Sequence, residues 1–167
     1  KQPTIFQKQQ QFFAAQIDLA QQLNKPILLH IRKAHAEVLA QLKQHHFNLG
    51  GIAHAFSGGV EEAKALVKLG FKIGVTGQIT NRNAKKLHQV VRALGAEHLV
   101  IETDCPDMTP LCCQTSSETR TRNTPANLPF VLAGLADSLD QPIEQLAPQL
   151  WHNSLTALGL ASFGLNH

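Results

Sequence analysis

The segment Leu99-Val100-Ile101-Glu102-Thr103-Asp104-Cys105-Pro106 constrains the fold of this chain more than any other stretch. Its apolar run reads as a buried strand of the kind that parallel sheets and barrels contain, and it ends on two carboxylates and a proline. Residues two apart on a strand share a face, so Glu102 and Asp104 are predicted to emerge side by side. In α/β folds the functional groups gather where strands end. A carboxylate at such a place, near histidines from other strands, is a candidate metal ligand.

Three further apolar runs read as strands: residues 26–31, 51–55 and 71–75, with the fourth at 99–103. Helical periodicity fills the intervals at 7–23, 34–46, 60–69 and 84–94, and returns at 126–139 and 142–159, with a break expected near Trp151. Gly70 and Gly95 stand where two of these helices should stop. In the first helix Phe12, Phe13, Ile17, Ala20 and Leu23 fall on nearly one side. Strand–helix alternation repeated four times implies a parallel sheet with helical crossovers. A complete (β/α)8 barrel needs about 250 residues. At 167 residues the chain is either a small open α/β sheet or the C-terminal portion of a barrel.

Two of the predicted strands end on histidine. His30 closes Pro26-Ile27-Leu28-Leu29-His30, and His54 closes Gly51-Ile52-Ala53-His54. With Asp104 they would project from one edge of a parallel sheet, and imidazole plus carboxylate suits Zn, Mn or Mg. Each histidine alone reads equally as a core or loop residue; three such groups at corresponding strand ends read as a shared site. Arg32 lies two residues after His30. It is a candidate for holding a phosphate oxygen, or for an ion pair with Glu102 or Asp104. Ser57, ahead of Gly58-Gly59, is a candidate N-cap with an anion-binding turn. Gly74, Gly77 and Gln78 mark a place where small residues leave room for a ligand, or a plain turn. The other histidines, His35, His45, His46, His88, His98 and His152, read as structural or surface groups.

The chain carries a formal charge of +3, but placement says more than the total. Residues 63–96 contain no Asp or Glu, yet hold Lys64, Lys68, Lys72, Arg82, Lys85, Lys86 and Arg92. Such a stretch attracts phosphates, or it is a solvated helix face balanced from elsewhere in the fold. Arg120 and Arg122 lie in a basic loop that either clamps a nucleic-acid backbone or simply leads into a helix. No run approaches the roughly eighteen apolar residues of a membrane span. The N-terminal Lys1-Gln2-Pro3-Thr4 is no secretory signal. Three cysteines without a C-x-x-C spacing fit a reduced, cytoplasmic setting rather than a disulfide framework or zinc knuckle.

Taken together, these motifs resemble the C-terminal two-thirds of the TatD family of metal-dependent deoxyribonucleases. The residues that carry the resemblance are Pro26-Ile27-Leu28-Leu29-His30-Ile31-Arg32, His54-Ala55-Phe56-Ser57-Gly58, Phe71 through Thr80, Glu102-Thr103-Asp104-Cys105-Pro106, Asn123-Thr124-Pro125 and Asn153. Asp107-Met108 resembles a YjjV-type branch. The resemblance implies an α/β fold in which residues 1–167 form one domain, strands five to eight of a TIM barrel. It implies that His30 and His54 bind one of two divalent ions (Mg, Mn or Zn). Asp104 would bind the other ion or orient the attacking water, as the catalytic group. Arg32 and Ser57 would contact substrate, with Glu102 behind the ligands. The implied reaction is phosphodiester hydrolysis of DNA, often as a 3′ exonuclease with little sequence specificity. A metal pair supports such chemistry by lowering the pKa of water and neutralising phosphate charge.

The family's first strand carries a His-x-His pair and its fourth a glutamate; neither is in this sequence. That predicts a partial barrel with an incomplete metal site, weak or no activity in isolation, and self-association through exposed strand edges. Two alternatives stand beside it: an amide or ester hydrolase on the same scaffold, and a non-catalytic barrel remnant.

Overall fold

The computed structural model describes residues 4–116 and 119–160. Lys1-Gln2-Pro3, read above as no secretory signal, lies outside the described residues. Four parallel strands, β1 (Ile27–His30), β2 (Gly51–His54), β3 (Phe71–Val75) and β4 (Leu99–Ile101), form one sheet in the order β1-β2-β3-β4. Helices α1 (Ile5–Gln22), α2 (His35–Gln44), α3 (Val60–Lys68), α4 (Lys85–Leu94), α5 (Leu128–Leu139) and α6 (Ile143–Ala157) precede, connect and follow them. The predicted strands and crossovers are therefore all present. β4 ends at Ile101 rather than Thr103, and β1 stops at His30. A 3₁₀ turn, Pro125–Asn127, precedes α5 where a helix from 126 was expected.

Leu29, Ala53, Ile73 and Leu99 lie in one row across the sheet. All four are at most 4% exposed and join Leu42, Leu66, Val90, Leu135 and Leu150 in the core. The alternate row is different. Leu28 is 66% exposed, and Ile52 and Lys72 beside it are only half-buried. Period-two alternation thus gives one sealed face and one partly open face. Lys72 resolves its place on the open face by donating to the carbonyl of Glu97 at 2.6 Å, and burial lowers its pKa despite the nearby Glu97 charge.

Thr4 starts α1 through a capping box: its hydroxyl accepts from Gln7 N at 3.2 Å, and the Gln7 carboxamide accepts from Thr4 N at 2.8 Å. The apolar stripe of α1 is only partly used. Ile17 and Ala20 are buried, whereas Phe12 and Leu23 are 70% and 59% exposed. α6 runs unbroken past Trp151, contrary to the expected break. Leu146, Leu150, Asn153 and Ala157 form its buried stripe, and Asn153 donates to the carbonyls of Ala96 and Leu99. No helix among the described residues is long and apolar enough to cross a membrane. All three cysteines are free.

Candidate metal centre

His30 and His54 are register partners at the ends of β1 and β2, with ring centroids 5.7 Å apart. The chain after β4 brings two carboxylates to the same imidazole. Glu102 Oε2 lies 2.5 Å from His54 Nδ1, and Asp104 Oδ1 lies 3.2 Å from His54 Nε2. Glu102 Oε1 also accepts from Ala55 N at 2.6 Å. Glu102 and Asp104 do converge, though not by riding one extended strand: Asp104 sits at φ +53°, in the left-handed region. That turn sends its carboxylate to the far nitrogen of the ring that Glu102 holds from behind.

Burial acts to lower the His54 pKa, but the hydrogen bond and charge of Glu102, joined by the charge and hydrogen bond of Asp104, outweigh it and raise the pKa above 6.5. In neutral His54 the Nδ1 proton goes to Glu102 and leaves the Nε2 lone pair facing Asp104. An imidazole nitrogen oriented by a carboxylate on its other nitrogen, with a second carboxylate oxygen alongside, suits a borderline or hard divalent ion. These donor types suit a divalent ion, and His30, His54 and Asp104 are the candidates to hold one. Among the described residues no group of three or more His, Cys, Asp and Glu side chains is arranged to hold a metal ion. The group is an open edge of candidate donors, not a formed metal site.

Small residues and one buried amide shape this edge. A Cβ on Gly74 would lie 2.2 Å from Glu102 Oε1, so Gly74 is the clearance for that carboxylate. Gly77 was read as room for a ligand or a plain turn. Its hypothetical Cβ meets Met108 O at 2.1 Å and Pro110 N at 2.8 Å, so it accommodates the loop after Asp104 instead. Asn123, 2% exposed, clasps that loop. Its Nδ2 donates to Thr103 O at 2.8 Å and Asp107 O at 2.7 Å, and its Oδ1 accepts from Asn127 Nδ2 at 2.8 Å. Sequence reading noted Asn123 only as part of a motif; its bonding partners lie up to 20 residues away.

The structure refines three sequence assignments. Ser57 is not the cap of α3: Gly59 is, and the Glu62 carboxylate accepts from Gly59 N. Ser57 is exposed, and its carbonyl accepts from Lys86 Nζ at 3.0 Å. Arg32 lies in an exposed bend beyond the end of β1, and the ion-pair alternative fails, because Glu102 and Asp104 both pair with His54. Arg120 pairs with Asp107 and so helps pin the loop of Asp104.

A parallel α/β sheet with imidazole and carboxylate groups along its carboxyl edge has the architecture of the metal-dependent hydrolases. The family model for TatD-related DNases matches residues 1–159, and the chain belongs to that family. It is 35% identical over 151 residues to the metal-dependent hydrolase YjjV of Escherichia coli, covering 90% of this chain and 56% of that one. It is 35% identical over 156 residues to the 3′-5′ ssDNA/RNA exonuclease TatD of Pantoea ananatis, covering 92% and 60%. The crystal structure of E. coli YjjV, a TatD homologue, superposes with a TM-score of 0.82 at 33% identity, covering 92% of this chain and 57% of that one. The chain thus spans between half and two-thirds of the length of these relatives.

Proposed function

We propose that this chain is the C-terminal part of a TatD-type barrel, a single domain that supplies His30, His54 and Asp104 to a two-metal site for phosphodiester hydrolysis. The observation that carries the reading is the convergence of Glu102 and Asp104 on the two nitrogens of His54, next to His30. The sequential strand order and the open sheet face at Leu28 support a barrel segment, because a barrel adds neighbours in chain order and would cover that face. The exposed apolar stripe of α1 supports further coverage or self-association there. The relatives' names support a single-stranded nucleic-acid substrate.

A bound divalent ion would supply Lewis-acid stabilisation of the phosphate charge. The chain's own residues do the rest. Glu102 fixes the His54 ring and its tautomer. Asp104, held in place by the loop that Asn123 clasps, accepts a proton from the attacking water. Arg32 and Ser57, both exposed near the carboxyl edge, contact the substrate's phosphates.

The test is a nuclease assay on single-stranded DNA with Mg or Mn, using the chain alone and the chain fused behind the N-terminal part of E. coli YjjV. The fused protein is expected to cut and to stop with EDTA. Asp104→Asn should cost about 10²-fold or more in rate. The chain alone should give only background. Cutting by the fusion that survives EDTA, or is indifferent to Asp104→Asn, would overturn the assignment.

A pH dependence follows from His54. Its raised pKa means that the bridged imidazolium stabilises the metal-free site at low pH, and this contribution is lost as pH rises through the raised value. A metal must displace that proton. Metal affinity should therefore fall up to about tenfold per pH unit below the raised pKa, with proton release on binding. Calorimetric Mn titrations between about pH 8 and about pH 6 check this. A flat affinity would count against His54 as a ligand.

A further inference from the structure

Away from the strand ends, a groove of about 1110 Å³ runs between α4 and α5. Arg82, Lys85, Gln89 and Arg92 form one wall. All four are exposed, and positions 85, 89 and 92 stack on one face of α4. This wall belongs to the stretch, residues 63–96, that contains no acidic residue. Much of the other charge in the stretch is engaged: Lys64 pairs with Glu61, Lys72 donates to Glu97 O, and Lys86 donates to Ser57 O. Arg82 and Lys85 have no ion pair or hydrogen bond among the described residues. Arg92 commits only Nε, to Ser138 O at 2.9 Å, and keeps its terminal nitrogens for other acceptors.

The groove is built rather than incidental. His88 braces its floor, with Nδ1 2.8 Å from the hydroxyl of Ser138 and Nε2 3.1 Å from Asn81 O. Gly134 lets α5 approach closely, since its Cβ would meet Ile79 and Thr80 methyls at 3.1 Å. Asp137 and Asp140 stand on the α5 side, so an anion would keep to the α4 wall.

A second cavity of about 330 Å³ begins at Ala55, the residue after His54, and is lined by Ser57, Gln78, Asn83 and Met108. Lys85 lines both cavities. Lys85 and Lys86 are the cations of the second cavity, so a chain carrying one phosphate per nucleotide would meet Lys85 where the two cavities share their lining.

We propose that the α4–α5 groove is a second binding surface for the phosphodiester chain of single-stranded nucleic acid, contacted by Arg82, Lys85 and Arg92, outside the metal centre. This deepens the phosphodiesterase reading by adding a length-dependent hold on the substrate. Because the groove grips phosphates, binding there is insensitive to sequence and steeply sensitive to salt.

The experiment is fluorescence anisotropy of labelled single-stranded DNA, a trimer and a 20-mer, with this chain in EDTA, at several salt concentrations. Arg82→Gln/Lys85→Gln should weaken 20-mer binding about tenfold and flatten the logarithmic salt slope by about 0.7 for each phosphate no longer neutralised, with little change for the trimer. Asp140→Asn, which keeps a residue tolerant of its left-handed backbone, should tighten the 20-mer. Equal affinity of the double variant and the wild type for the 20-mer, with an unchanged salt slope, would overturn the groove. Nuclease inactivity of the YjjV fusion would overturn the catalytic reading without affecting this readout. An active fusion paired with an unaffected 20-mer isotherm would sink the groove alone.

Discussion

Gly51→Ala is expected to destabilise the protein by about 4 kcal/mol or more, enough to lower Tm by about 10 °C in a domain of this size. Gly51 starts β2 at φ +139° and faces Ile27 across the first register pair. A Cβ there would lie 1.8 Å from Ile27 O and 2.8 Å from Ile27 N. These are backbone atoms of a paired strand, so no side-chain rotation relieves the clash. Ile27 N also donates to Gly50 O at 3.1 Å, and Gly50 packs with its own Cβ position 2.4 Å from Gly70 O. The entry points of β1, β2 and β3 therefore touch through glycines. Gly95→Ala is the matched control. Gly95 has φ +72° but nothing within 4 Å of its Cβ position, so alanine there costs only backbone strain, about 1 kcal/mol. Thermal melts followed by circular dichroism measure both. A Gly51→Ala melt within a few degrees of the Gly95→Ala melt contradicts the expectation.

The second large effect concerns the candidate site. Gly74→Ala should disconnect Glu102 from His54 and lower metal affinity by about 10–100-fold, the usual cost of losing a ligand's orienting partner. The Glu102 carboxylate cannot yield cheaply, because Oε2 is on His54 and Oε1 on Ala55 N. Ala53 O, 3.1 Å from the same Cβ position, closes the other exit. His54 would lose the larger of the two partners that offset its burial, with Asp104 remaining, so its pKa should fall and NMR titration should show the fall. A double-mutant cycle separates this from general damage. In a Glu102→Ala background, Gly74→Ala should add little to the loss of metal affinity, because the group it displaces is already gone. Additive losses would mean that Gly74 acts on the sheet and not through Glu102.

Strand and helix positions were legible because their signal is local. The alternation of apolar runs with helical stripes placed the four strands and their crossovers, and the runs ending on His30, His54 and Asp104 placed those groups at the carboxyl edge. Where the reading failed, a contact that the local pattern does not encode had intervened. Ser57 looked like a cap, yet the capping oxygen comes from Glu62, three residues beyond the true N-cap Gly59. Trp151 looked like a helix break, yet Asn153 anchors that segment to Ala96 and Leu99, more than fifty residues away. Phe12 and Leu23 share the apolar side of α1 with Ile17 and Ala20, but a stripe is buried only as far as something packs on it.

The sequence by itself determined the parallel α/β alternation and the chemistry available at the strand ends, since both depend on neighbouring residues and on the period of the backbone. Only the tertiary structure decided that Glu102 and Asp104 take opposite nitrogens of one imidazole. It alone showed that Gly51 is the clearance for the backbone of β1 and Gly74 for the Glu102 carboxylate, that Asn123 holds the loop of Asp104, and that Arg82, Lys85 and Arg92 share a groove with α5. These relations are distances between segments far apart in the chain. They exist only after the sheet has fixed its register and the helices have packed against it.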